Sequence, residues 1–124
     1  MIVQYYKPNA KNTGCAFSFD IGANNKTQEP CVYVRAVKQY SWNSKTRSGS
    51  FSENSKNPDK SISIKLNEIE VGGFIQAIEN YKEFSGFHSY EDNKTSILFK
   101  PYTKKDGTKA FSFGVTRNSV NKFG

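Results

Sequence analysis

No stretch of this 124-residue chain approaches the roughly 18 consecutive apolar residues that a membrane-spanning helix requires. The N-terminal MIVQYYKPNAK has no charged region followed by an apolar run, so no secretory leader is expected. The expected location is therefore the cytoplasm, not the exterior. Cysteine is scarce: Cys15 and Cys31 are the only two. In a reducing compartment they are expected to be buried free thiols. Two cysteines and one histidine, His88, make no convincing zinc site without carboxylate help. No metal and no cofactor is expected.

Carboxylates are scarce outside one segment. Residues 67–93 hold six of the eleven acids and one base, Lys82, whereas residues 1–66 hold ten Lys or Arg against four acids. Residues 94–124 hold seven bases against one acid, and the whole chain carries +7. Charge of one sign separated by segment creates a field that draws polyanions. Metal-dependent phosphoryl chemistry needs clustered carboxylates. Asp20 stands alone on its strand, and His88 with Glu91 and Asp92 reads as a solvated loop. A nuclease is the rival class, but no enzyme is expected.

Hydrophobic residues reach only 35%, yet aromatics are 15%, with 10 Phe, 7 Tyr and one Trp. The segment LNEIEVGGFIQAIENYKEF carries the one strong helix signal. Asn67 is a suitable N-cap, Glu70 completes a capping-box spacing, and Ser85-Gly86 ends the helix. Val71, Phe74, Ile75, Ile78 and Tyr81 form an apolar stripe, with Glu79 and Glu83 on the wet side. Gly72-Gly73 is read as close packing of the helix on a sheet rather than a phosphate nest, because Glu68 and Glu70 lie beside it.

The remaining regular segments alternate with the period of strands: Ile2–Lys7, Gly14–Ala23, residues 31–42, Ser61–Leu66, residues 95–102 and Lys109–Arg117. Asp106-Gly107 signals a hairpin between the last two. The Asn-rich stretches after residues 8 and 23 read as loops. The expected fold class is α+β, a strongly twisted antiparallel β-sheet or sheets with one main helix packed on the sheet. Residues 1–124 are expected to form one nucleic-acid-binding domain, with 43–60 a mobile basic loop or a frayed hairpin tip and 119–124 a C-terminal tail. The faces Cys15, Phe17, Phe19, Ile21 and Ile62, Ile64, Leu66 contain no polar member. They are expected to be core and to accept the helix stripe.

Other strands interleave rings with cations. Tyr33 and Arg35 share one face of the third strand, and Lys38, Tyr40 and Trp42 extend the other towards Lys45 and Arg47. Lys65 points outward from Ser61–Leu66. Lys100 and Tyr102 share a face with Leu98, and Lys104 follows in the turn. The second of two AFSF copies places Phe111 and Phe113 between Lys109 and Arg117 on one face. The first AFSF copy, at residues 16–19, reads as core; the second reads as core at its middle and platform at its ends. Rings that stack on bases, with cations that follow phosphates, are what a single-strand platform needs.

GCAFSFDI, VYVRAVKQYSW, SISIKLNEIEVGGFIQAI and TSILFKPYTKKDGTKAFSFGVTRN resemble, in that order, the signature segments of the Whirly family of single-stranded DNA-binding proteins. That family shares its fold with coactivators of the positive-cofactor-four type. Gly14-Cys15-Ala16 stands here without the family's lysine. The resemblance implies a ββββα arrangement plus a following β-hairpin. It also implies a homodimer or higher oligomer whose partner subunit completes a shortened domain of viral or phage type. The function expected is non-catalytic, largely sequence-independent binding of single-stranded DNA in replication, recombination or transcription. The alternatives are single-stranded RNA, or a polymerase or helicase held by the acidic helix face.

Overall fold

The structure is a computed structural model that describes residues 2–23, 30–90, 93–118 and 121–124. Chain contacts divide it into two compact units, residues 1–68 and 69–124. The Asn-rich stretch after residue 23 falls on residues 24–29, outside the described residues, as do Glu91 and Asp92.

The first unit is a four-stranded antiparallel sheet, in the spatial order β1 (Ile2–Lys7), β2 (Cys15–Ala23), β3 (Pro30–Lys38), β6 (Ser61–Leu66). Alternation decides its two faces. The row Val3, Phe19, Val34, Ile64 runs across one face, and the row Gln4, Ser18, Arg35, Ser63 across the other. On the apolar face Phe17, Val34, Ala36, Ile62, Ile64 and Leu66 are buried. Of the four apolar positions expected inside β2, Cys15 and Phe17 are buried and Phe19 is half-buried, but Ile21 is exposed. Alternation assigns a side chain to a face; cover for that face is a separate matter.

The third strand stops at Lys38, short of the expected residue 42, because the chain turns at Gln39. The Gln39 amide makes four hydrogen bonds. Its Oε1 accepts from the Asn9 and Gly14 amides at 3.0 and 3.1 Å, and its Nε2 donates to the Asn9 and Ser41 carbonyls, both at 3.1 Å. Every hydrogen-bonding site of the amide nitrogen and oxygen is thus used inside the protein. Residues 43–60, read from the sequence as a mobile basic loop or a frayed hairpin tip, contain regular elements. A hairpin of β4 (Ser41–Asn43) and β5 (Ser48–Ser50) leads into a 3-10 turn at Ser52–Asn54. Asn54 is buried and donates from Nδ2 to the Lys38 carbonyl at 3.0 Å.

In the second unit α1 (Glu68–Asn80) precedes a four-stranded antiparallel sheet ordered β10-β9-β8-β7. The strands are β7 (Phe84–Tyr90), β8 (Asn93–Thr103), β9 (Lys109–Arg117) and β10 (Asn121–Phe123). The region after the helix is therefore a full sheet where a single hairpin was expected. The supposed tail contributes β10, whose Phe123 is only 1% exposed. The turn before β9 holds Gly107 at φ +87°, and Asp106 Oδ1 accepts from the Thr108 amide at 2.9 Å.

The helix ends earlier than Ser85-Gly86. Tyr81 takes a left-handed φ of 51°, with Lys82 N donating to Ala77 O at 2.9 Å and Tyr81 N to Ile78 O at 3.5 Å. That pairing is a Schellman cap with tyrosine where glycine is usual. Phe74 packs against Phe84, Phe99 and Phe113 with centroid separations of 4.7, 5.2 and 5.8 Å. The sheet beneath Phe74 is thus the second one, where the stripe was expected to lie on β2 and β6. Ile75 and Ile78 of that stripe are exposed, while Ala77 is buried.

Gly73 sets this rotation, since a Cβ there would run into the Phe84 ring, whereas one at Gly72 meets nothing within 4 Å. Two alanine substitutions one residue apart should therefore have opposite signs. Gly73→Ala should cost about 1–3 kcal/mol through overpacking. Gly72→Ala should gain up to about 1 kcal/mol from helix propensity. Thermal or urea unfolding of the two variants beside wild type checks the pair.

Candidate nucleic-acid interface

The strands of the second sheet contain no Asp or Glu among their described residues. Their register sorts the side chains cleanly. The row Phe84, Phe99, Phe113 lies under the helix, so Pro101 with Phe111 and Thr95 with Arg117 share that covered face. The row Ser85, Leu98, Gly114 and the row Phe87, Ser96, Thr116, Lys122 lie on the opposite face. That outer face carries Lys94, Lys100 and Lys122, small hydroxyl side chains, and three large apolar groups open to solvent. Phe87 is 62% exposed, Leu98 39% and Tyr102 37%.

Lys100 and Tyr102, expected in the interface, belong to this face. Lys104 lies beyond it in the turn, where its amide donates to the Thr108 carbonyl. Lys109, Phe111 and Arg117 do not belong to it. Phe111 stacks on Phe99 at 4.6 Å and 6°, and meets the Tyr81 ring at 5.3 Å. Lys109 Nζ sits 5.3 Å from the centroid of the Tyr81 ring. Arg117 is half-buried on the helix side. The platform expected at the ends of the second AFSF copy is therefore corrected: both of its phenylalanines point under the helix, and the open rings come from neighbouring strands. Phe87 was missed because FSGFHSY reads as a helix end, and its signal was the Phe84, Phe87 pair around glycine and serine.

His88 Nε2 lies 2.5 Å from Glu70 Oε2, so the histidine faces the helix. Among the described residues no three His, Cys, Asp or Glu side chains gather to hold a metal ion. Among them, too, no helix is long and apolar enough to cross a membrane.

In the first unit the polar face carries Tyr33, Arg35 and Lys65, with Tyr33 directly opposite Lys65. The Tyr33 ring lies over Gly22, and a hydrogen bond to Cys31 raises its phenol above the ordinary tyrosine range. Arg35 donates from Nη2 to the Ser55 carbonyl. Lys38 does not join them. It lies opposite Cys15 on the other face, where burial, and then the Lys60 charge, hold its ammonium below the ordinary lysine range. Tyr40 is exposed just past the Gln39 turn.

Trp42, Lys45 and Arg47 all sit on the hairpin. Trp42 is half-buried opposite Gly49, and with Lys45 it borders a shallow hollow of about 660 Å³. Arg47, at φ 55°, borders a larger groove of about 680 Å³ between the hairpin and the polar face of the sheet. Tyr6 and Phe51 stand in that groove with centroids 5.8 Å apart, and neither was singled out from the sequence. The Asn43 side chain holds the hairpin tip, accepting at Oδ1 from the amides of Lys45 and Thr46 at 3.0 and 3.2 Å. Two surfaces thus pair rings with cations, one in each unit. No protein-family profile, curated protein or solved structure matches this chain.

Proposed function

We propose that the protein binds single-stranded DNA non-catalytically and with little regard to sequence. The carrying observation is the outer face of the second sheet, where Phe87, Leu98 and Tyr102 are open among Lys94, Lys100 and Lys122 with no carboxylate in the strands. Stacking is sequence-tolerant because every base has a π-face, and lysines along the same face meet the phosphates between stacked bases. A single strand is favoured because duplex bases present no open faces to a flat sheet. The motif segments described above, together with antiparallel strands and one main helix, support a Whirly-like reading. Under that reading the protein acts in replication, recombination or transcription, and as a homo-oligomer.

Fluorescence anisotropy with labelled single-stranded DNA, duplex DNA and single-stranded RNA, each at several salt concentrations, tests the proposal. Single-stranded DNA should bind more tightly than duplex. Each phosphate neutralised should contribute about −0.7 to the slope of log K against log salt, so three to six contacts give roughly −2 to −4. Salt-independent binding, or a preference for duplex, overturns the mechanism. Tighter binding of RNA would reassign the ligand while keeping the platform.

A further inference from the structure

The groove in the first unit differs in kind from the open platform, and its floor is built from two adjacent rows of the sheet. Gln4, Ser18 and Arg35 lie side by side across β1, β2 and β3; next to them lie Tyr6, Ala16 and Val37. Ala16 and Val37 are buried and carry no polar side-chain atom. Tyr6 and Phe51 form an aromatic wall, and the exposed Arg47 stands at the rim. One row is thus apolar, flanked by rings, and the adjacent row carries hydrogen-bonding groups. A volume of about 680 Å³ falls within the roughly 300–1,000 Å³ of small-molecule sites.

The polar row has a direction. Gln4 Oε1 accepts from the Tyr6 hydroxyl at 3.0 Å, which leaves the amide nitrogen of Gln4 as the end that offers hydrogen to a ligand. Arg35 can only donate, and Ser18 can donate as well as accept. A base edge presented to this row is therefore met mainly by donors. Where the base presents its major-groove edge, O4 of thymine and O6 of guanine satisfy them, whereas the amino groups at N6 of adenine and N4 of cytosine do not.

We infer that this groove holds one nucleotide of the bound strand, its base against Tyr6 and Phe51 and its phosphate at Arg47, and that Gln4 makes it prefer a keto base. The inference rests on the single-strand reading and adds to it one position of base preference within otherwise indifferent binding. Gln4 is exposed on an edge strand, so its replacement leaves the sheet intact.

The test titrates the full chain with dTMP, dGMP, dAMP and dCMP, following amide and side-chain NMR shifts, with oligonucleotide anisotropy run in parallel. The expected result is that dTMP and dGMP shift Tyr6, Ser18 and Phe51 signals and bind about fivefold or more tighter than dAMP and dCMP, the worth of one hydrogen bond. Gln4→Ala should narrow the difference to what Arg35 and Ser18 still supply, Gln4→Glu should narrow it further by replacing a donor with an acceptor, and Arg47→Ala should weaken all of them equally. Oligonucleotide binding with no shift at the groove, or with four equal nucleotides unaffected by Gln4→Ala, overturns the groove and leaves the platform standing. Failure of oligonucleotide and mononucleotides alike overturns both.

Discussion

Gln39→Leu should unfold with a midpoint roughly 10 °C or more below wild type, corresponding to a loss of about 3 kcal/mol or more. The side chain is 5% exposed and satisfies two amide hydrogens and two carbonyl oxygens, drawn from the β1–β2 loop and the start of the hairpin. Leucine fills the volume but leaves those groups without their partners, and a buried unpaired donor or acceptor costs about 1–3 kcal/mol. The surroundings cannot close around a different shape. A Cβ on Gly14 would strike the Lys7 carbonyl, and one on Gly49 would lie 2.7 Å from Pro8 Cβ. Gln39→Glu separates hydrogen bonding from volume. The new carboxylate faces the Asn9 and Ser41 carbonyls, so burial beside those oxygens raises its folded-state pKa above the unfolded value of about 4.3. A raised folded pKa means that stability is fullest below that value and is lost as pH rises through the folded pKa. Gln39→Glu should therefore approach wild type near pH 4 and fall well below it at pH 7. Circular-dichroism melts across that pH range check both variants, and a pH-independent Gln39→Glu would contradict the hub.

On the second sheet, Phe87→Ala with Tyr102→Ala should weaken single-strand binding about 100-fold, since each stacked base is worth about 1–3 kcal/mol. Both rings are open to solvent, so their loss should change the melting temperature little. Lys94→Gln, Lys100→Gln and Lys122→Gln together act on another term. They should flatten the salt slope by about 2, because each phosphate contact contributes about 0.7. Phe111→Ala supplies the contrast. Its ring is stacked on Phe99 beneath the helix, so its loss should lower stability while leaving the salt slope as in wild type. Anisotropy and thermal melts of the same four proteins separate these effects. If Phe111→Ala weakened binding more than the two open rings did, the covered and open faces would have to be exchanged.

Local signals in this chain were legible where large apolar or aromatic residues recur with the period of a strand. Ile2–Lys7, Ser61–Leu66 and Lys109–Arg117 lie where their alternation puts them, and Asp106-Gly107 makes its turn. Residues 41–50 left their hairpin as one of two readings because a strand that pairs only with its neighbour needs few apolar residues: Trp42 is the only large one there. Phe84–Tyr90 hid its strand behind Gly86, Ser85 and Ser89, which read as a helix stop. Gln39 was not singled out from the sequence. Its role depends on Asn9 and Gly14, 30 and 25 residues away, which no local pattern reveals.

The sequence by itself determined the class of the molecule, antiparallel strands with one main helix and charge sorted by segment, because periodicity and charge are local properties of a chain. It also determined which side chains share a face, since alternation leaves a strand no other choice. Only the tertiary structure decided which of the two faces is covered. Close approach at Gly73 turned Phe74 onto Phe84, Phe99 and Phe113, and that single packing choice put Phe111 inside and left Phe87, Leu98 and Tyr102 open. Cover is a non-local quantity, set by which distant element arrives on a face, and it is cover that separates a core ring from an open one.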